Sequence, residues 1–295
     1  MLSVLKLVRY KNLLMVLLTM VLTKYALIES IGQSLLEEKD FILLSILIIC
    51  TTAAGYVVND IFDIATDRIN KPEKSYISAA IPVKKGWQLY WFLTILASIL
   101  ALLLSTKLTD YCLFFIPPLL LYFYSKFFKK IIFLGNIVIS FLVALPMYVL
   151  FVFDFIPAKS NIPTIDNPIY YTIYLYLFFA FLTTFIREII KDIEDIDGDK
   201  VLNAKTLAIL LGRKRASKIA FFFSAILLLF LLIVLQFLKK DILFFVYGIF
   251  FILLPLLYIM HSLWFSKNKK DFSKLSLLLK LLMFSGVLSM LLFKV

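Results

Sequence analysis

The sequence predicts an all-α, polytopic membrane protein of about nine transmembrane helices, and three observations carry that prediction. Of the 295 residues, 62% are hydrophobic and only 17% charged. The mean hydropathy of +0.98 lies well outside the soluble range. The apolar residues fall into long runs separated by short segments that hold much of the Lys and Arg. A soluble globule is excluded. The formal charge of +12 invites a nucleic-acid reading, but the basic residues are dispersed between apolar runs and no motif of that class accompanies them.

A helix needs about 20 apolar residues to cross a hydrocarbon core of roughly 30 Å. That ruler places spans near 12–30, 41–59, 88–106, 111–126, 132–153, 170–190, 218–238, 242–264 and 273–293. The first follows Lys6, Arg9 and Lys11 and imitates a signal peptide, yet no small-x-small cleavage site follows it, so it reads as a retained helix. Cys50 and Cys112 both sit in apolar stretches and offer no disulfide framework or metal spacing. Residues 1–295 are expected to form one transmembrane domain.

Orientation follows from the basic residues. With nine spans, one side receives the N-terminus and the 60–87, 127–131, 187–218 and 265–274 segments, which carry Arg68, Lys71, Lys84, Lys85, Lys129, Lys130 and Arg213–Arg215. That side is expected to be the cytoplasm, in a multi-pass protein of a cell's inner membrane with its C-terminus outside. The opposite side receives a smaller basic load, including Lys39, Lys107, Lys159, Lys239 and Lys240.

Two segments on the predicted cytoplasmic side concentrate the acidic residues. The first continues the second span with Asn59, Asp60, Asp63 and Asp67. If the helix persists, Asn59, Asp63 and Asp67 stack at i, i+4 and i+8, and Asp60 joins the same side. The second ends the sixth span with Glu188, Asp192, Asp195 and Asp199, which step by four, three and four. Like charges at this spacing oppose helix formation and are costly near a bilayer, so they call for a cation. Hard oxygen donors without His or Cys suit Mg²⁺, which takes one or two carboxylates and shares its other sites with water and substrate phosphates. The expected metal ligands are therefore Asn59, Asp63, Asp67, Glu188, Asp192, Asp195 and Asp199, facing a diphosphate. A solvated interfacial turn explains one such cluster; two on the same side with helical spacing are harder to explain that way.

These residues resemble the paired motifs of the UbiA superfamily of intramembrane prenyltransferases. Asn59-Asp60, Asp63 and Asp67 match an N-D-x-x-D-x-x-x-D motif after helix two, and Asp192, Asp195 and Asp199 match an aspartate-rich motif after helix six. Asp67-Arg68-Ile69-Asn70-Lys71-Pro72, the stretch from Tyr124 to Lys129-Lys130, and Gly135-Asn136 extend the match. Arg187 to Asp195, Gly198-Asp199, Ala204 to Leu207 and Gly212 resemble the digeranylgeranylglyceryl phosphate synthase-like members. The resemblance implies helices around a central cavity, Mg²⁺, an isoprenyl diphosphate donor and a lipophilic acceptor. Geranylgeranylglyceryl phosphate is the leading acceptor, and an aromatic quinone precursor the alternative.

On that reading Asn59, Asp60, Asp63, Asp67, Asp192, Asp195 and Asp199 form the catalytic set. Arg68, Lys71, Lys129, Arg187 and Lys191 are candidates to bind diphosphate or an anionic acceptor. Tyr124 is a candidate to orient the acceptor or shield a developing cation. His261, the single histidine, reads as structural. A transporter would place its acidic residues near mid-helix, and a membrane scaffold gives no reason for two carboxylate ladders.

Overall fold

The computed structural model describes residues 2–31, 34–70, 76–154, 168–201 and 204–294. Lys71 falls outside the described residues. Among those described, nine helices are long and apolar enough to cross a membrane: α1 (Tyr10–Ile28), α2 (Glu38–Phe62), α3 (Val83–Leu104), α4 (Leu108–Lys126), α5 (Leu134–Asp154), α6 (Pro168–Glu194), α7 (Arg213–Leu238), α8 (Ile242–Phe265) and α9 (Lys269–Phe293). The chain is an integral membrane protein. No strands form among the described residues, only two isolated bridges, Ile77 with Ile81 and Ile131 with Lys205.

The apolar runs set the spans, and local chemistry sets their ends. Glu38 and Asp40 occupy the first turn of α2, where carboxylates complement the helix dipole. Asn268 and Asp271 form a reciprocal cap at the start of α9. Pro117, Pro118 and Pro146 lie inside α4 and α5, as neighbouring helices allow in a membrane bundle.

Helix α2 packs most extensively on α3, and α6 packs on both α5 and α9. One apolar core joins α6 to α9 through Phe185, Ile189, Ile193, Leu227, Ile259 and Leu279. A second joins α1, α2 and α5 through Leu27, Leu44, Leu150 and Phe151. Large apolar side chains remain on the outer faces, among them Phe92, Ile99 and Leu103 of α3, Leu229 and Ile233 of α7, and Phe250 and Tyr258 of α8. In a bilayer such faces meet acyl chains.

The loops assigned to one side by their charge do meet at one end of the bundle. Asn70 hydrogen-bonds Asp195, Lys205 bonds to Lys130, Lys269 reaches Asn70, and Arg213 pairs with Asp197. The far end carries a separate closed network. There the buried Lys24 ammonium donates to Ser34 Oγ and Leu36 O at 2.7 Å each, and Asp154 accepts from the Leu35 and Leu36 amides at 2.7 and 2.9 Å.

One expectation needs correction: neither acidic segment is a continuous helix. Helix α2 ends at Phe62, and Asp63 takes φ −94°, ψ 6° before a short helix, Ile64–Asn70. Helix α6 ends at Glu194, and Asp195 takes φ −95°, ψ 7° before Ile196–Asp199. Stacked like charges weaken helix propagation at these points. Each break puts an aspartate in the sparsely populated bridge region between helix and turn.

Candidate active site

The two breaks lie side by side because one buried asparagine joins them. Asn70, at the end of Ile64–Asn70, donates from Nδ2 to the Asp195 carbonyl at 2.8 Å and accepts from the Gly198 amide at 3.0 Å. A Cβ on Gly198 would sit 2.4 Å from Asn70 Nδ2. Glycine is needed there for space, since among the described glycines only Gly212 has a positive φ. The Lys269 ammonium caps the Asn70 carbonyl at 2.8 Å and ties α9 to the same junction.

On the first side, Asn59 Nδ2 donates to Asp63 Oδ2 at 2.9 Å, and the Lys129 ammonium bonds Asp63 Oδ1 and approaches Asn59 Oδ1 at 3.5 Å. Gly135 lets the Lys129 backbone pack closely against the start of α5, because a Cβ there would lie 2.8 Å from Lys129 Cα. Asp60 faces another way and pairs with Arg9 at 2.8 Å. Arg9 reaches it from a left-handed turn, φ 54°, between the helix Leu2–Leu7 and α1, and lies over the Tyr56 ring at 4.8 Å.

On the second side, Glu188 is clasped by Arg187 at 3.1 Å and Lys191 at 2.9 Å. Asp192 accepts from Asn136 Nδ2 at 2.9 Å. Asp67, Asp195 and Asp199 occupy the breaks and the short helices after them, all half-buried. The Tyr124 hydroxyl stands within electrostatic reach of Glu188, Asp192 and Asp63, between the two sides. Arg68 is the outlier: it is exposed and donates to Ser78 Oγ at 2.9 Å, away from the junction.

A cavity of about 300 Å³ opens below. Arg9, Asn59, Tyr124, Arg187, Glu188 and Lys191 form its polar mouth; Leu47, Phe114, Met147 and Met290 line its depth. From Asn59 to Leu47 along α2 is about 18 Å at the helical rise, over half the thickness of a bilayer core. This is room for an extended apolar chain with its polar end at the breaks.

The donor chemistry fits a hard divalent cation. Every candidate is an oxygen ligand, with no His or Cys beside it. Among the described residues no three Asp, Glu, His or Cys side chains converge into a cage. That geometry suits Mg²⁺ bound through one or two carboxylates on each side and completed by phosphate oxygens.

Residues with no assigned role in the sequence reading also shape the site. Asn70 and Asn136 stand in the matched stretches, but their role depends on partners far along the chain, Asp195 and Asp192. Arg9 reads as topological charge, and only the fold brings it to Asp60. Lys280 had a visible signal, a charge in mid-span; its ammonium lines the cavity and donates to Asn12 Oδ1 at 2.5 Å.

Two oxygen-rich helix breaks facing each other over an apolar intramembrane cavity define a class: all-helical membrane proteins with an acidic polar site at one end of the bundle that opens into an apolar interior. The UbiA prenyltransferase family model matches residues 13–285, and the chain belongs to that family. A digeranylgeranylglyceryl phosphate synthase from Saccharolobus solfataricus is 33% identical over 67% of this chain and 66% of its own length. The chain therefore spans just under two thirds of that relative in the alignment. A solved structure described as giving insights into digeranylgeranylglyceryl phosphate synthase in membranes superimposes with a TM-score of 0.69, at 25% identity over 99% of this chain and 98% of that one. A UbiA homologue from Archaeoglobus fulgidus, bound to GPP and Mg²⁺, superimposes at 0.61 with 16% identity over 98% and 99% of the two chains.

Proposed function

We propose that this chain is a Mg²⁺-dependent prenyltransferase that moves an isoprenyl group from a polyprenyl diphosphate to a lipophilic acceptor, geranylgeranylglyceryl phosphate, at the cytoplasmic membrane face. The observation that carries this reading is the cavity: a polar mouth between two acidic breaks, continuous with an apolar interior. The relatives' printed names support the acceptor, and the Archaeoglobus homologue's bound GPP and Mg²⁺ support the donor and metal.

Asn59, Asp63 and Asp67 on one side and Asp192, Asp195 and Asp199 on the other are the residues to hold metal. Mg²⁺ bound there supplies charge neutralisation for the diphosphate as it leaves. In the reaction the bond from allylic carbon to diphosphate oxygen breaks, a bond from that carbon to the acceptor hydroxyl oxygen forms, and the hydroxyl proton is released. Lys129 and Lys191 face the leaving group with fixed positive charge. The Tyr124 ring faces the developing cation from between the clusters. Leu47, Phe114 and their neighbours exclude water, which would otherwise capture that cation. Glu188, clasped by two cations, serves better to orient Arg187 and Lys191 than to bind metal directly.

The test is product mass. Purified protein, Mg²⁺ and labelled geranylgeranyl diphosphate are incubated separately with geranylgeranylglyceryl phosphate and with aromatic acids. A mass for a diether phosphate supports the proposal, and a prenylated aromatic acid replaces its acceptor. Asp63→Ala and Asp195→Ala should each abolish transfer while leaving protein folded in the membrane; wild-type turnover in either would overturn the site.

A further inference from the structure

Charge around the cavity does not balance. The described residues that line it carry four cations, Arg9, Arg187, Lys191 and Lys280, and one carboxylate, Glu188. Arg9 has its own partner in Asp60. Glu188 is shared by Arg187 and Lys191. Lys280 bonds a neutral amide, Asn12, whose own Nδ2 donates to Tyr56 Oη at 3.2 Å. No carboxylate pairs with Lys280 among the described residues. The charges of Arg187, Lys11 and Arg9 are near enough to repel it. An ammonium in a span is costly even on the lenient insertion scale, and surrounding like charge adds to that cost.

Its depth separates it from the candidate metal ligands. Tyr56 lies three residues before Asn59 in α2, about 4.5 Å below the Asn59 level, and Asn12 meets Lys280 beside it through its bond to Tyr56 Oη. On α9, Lys280 follows Ser276 by one turn on the same face. The Ser276 carbonyl accepts from Arg187 Nε at 3.3 Å, which brings guanidinium and ammonium to one wall. Below Lys280 that face continues through Met283, Val287 and Met290 into the apolar depth. A bare ammonium at this level would oppose an allylic cation forming at the mouth. An anion seated against it removes the opposition and balances the charge.

We infer that Lys280, with Arg187, forms an anion site for the phosphate of an amphiphilic acceptor, one helical turn below the metal-binding level. The inference rests on the prenyltransferase reading for the identity of the ligand as an acceptor, but not for the site itself. It commits to a monoalkyl phosphate: one anionic head at Lys280 with a single chain along the Met283 to Met290 face.

The site is tested first by binding, without turnover. Purified protein in neutral detergent with EDTA, which disables metal-dependent diphosphate binding, is titrated with tetradecyl phosphate, tetradecanol and inorganic phosphate. Wild-type protein should bind tetradecyl phosphate, and Lys280→Met should weaken that binding about tenfold or more, the loss of one charge-assisted hydrogen bond. Lys280→Arg should recover most of it. Tetradecanol should bind both proteins alike, which shows the Met variant is folded; its substitution also removes an intramembrane charge. Binding of inorganic phosphate as tight as that of the alkyl phosphate would overturn the amphiphile assignment. Equal tetradecyl phosphate binding by wild type and Lys280→Met would overturn the site.

A kinetic arm then ties the site to the acceptor. The preference in kcat/KM for geranylgeranylglyceryl phosphate over the phosphate-free alcohol should fall about tenfold in Lys280→Met, with the donor KM changed less than twofold. A rise in donor KM alone would overturn the acceptor role. Alkyl phosphate binding through Lys280 in a wild type that prenylates neither acceptor would leave the anion site standing while the reaction reading fell.

Discussion

Asn70 and Gly198 form a contact whose energetics can be worked from the structure. Asn70→Ala deletes two hydrogen bonds, to the Asp195 carbonyl and from the Gly198 amide. At about 0.5–1.5 kcal/mol net for each, the two acidic breaks lose about 2 kcal/mol of mutual positioning, or roughly 30-fold in a rate that needs both. Gly198→Ala acts on the same contact from the other side. Its Cβ would lie 2.4–2.8 Å from three Asn70 side-chain atoms, so the amide must leave and both bonds break. In an Asn70→Ala background that clash is gone, and alanine in a short helix is otherwise harmless.

The double variant should therefore be no worse than Asn70→Ala alone, a strongly non-additive cycle. The assay is kcat/KM for prenyl transfer across a Mg²⁺ titration. Both single variants should lose about 30-fold and need more Mg²⁺ for half-maximal rate. Wild-type behaviour of Gly198→Ala, or independent losses that multiply in the double variant, would refute a shared contact.

Lys191→Met should raise the donor KM by about 10- to 150-fold for a lost charge-assisted bond to the diphosphate and change the acceptor KM far less; a loss confined to acceptor binding would count against placing Lys191 on the leaving group. With Cys50 and Cys112 replaced, Lys205→Cys should react only with a cytoplasmic thiol reagent and Lys240→Cys only from the opposite side, and labelling of both from one side would refute the nine-span topology.

Periodicity and hydropathy made the spans legible because membrane helices satisfy their backbone internally, so length and apolarity alone define them. The acidic segments were legible for the same local reason: carboxylates at the end of an apolar run have no cheap explanation. What local reading missed depends on partners distant in sequence. Asn70 meets Gly198 across 128 residues, Arg9 meets Asp60 across 51, and Asn136 meets Asp192 across 56. The helix breaks at Asp63 and Asp195 were also missed, since spacing by three and four describes a continuous helix equally well. Lys280 was overlooked although the signal was present, a lone charge between Leu279 and Leu281.

The breaks matter for how metal and diphosphate bind together. Asp63 is held by Lys129 and Asn59, and Asp192 by Asn136. Glu188 is held by two cations. A cation entering alone must compete for carboxylates that already have protein partners, and no three of the described acidic, His or Cys side chains converge to repay it. A metal diphosphate is different: its phosphate oxygens take over Lys129 and Lys191 as the metal takes the carboxylates, so partners are exchanged rather than lost. Binding of the two should therefore be coupled. Mg²⁺ titrated alone into purified protein should bind weakly, and inorganic diphosphate should raise its affinity by about tenfold or more, a coupling of at least about 1.4 kcal/mol. Reciprocity requires Mg²⁺ to tighten diphosphate by the same factor. Lys129→Met should shrink the coupling, because the released lysine is one of the groups that diphosphate receives. Equal Mg²⁺ affinity with and without diphosphate would mean that the carboxylates form a complete metal site on their own, and the partner-exchange account would fail.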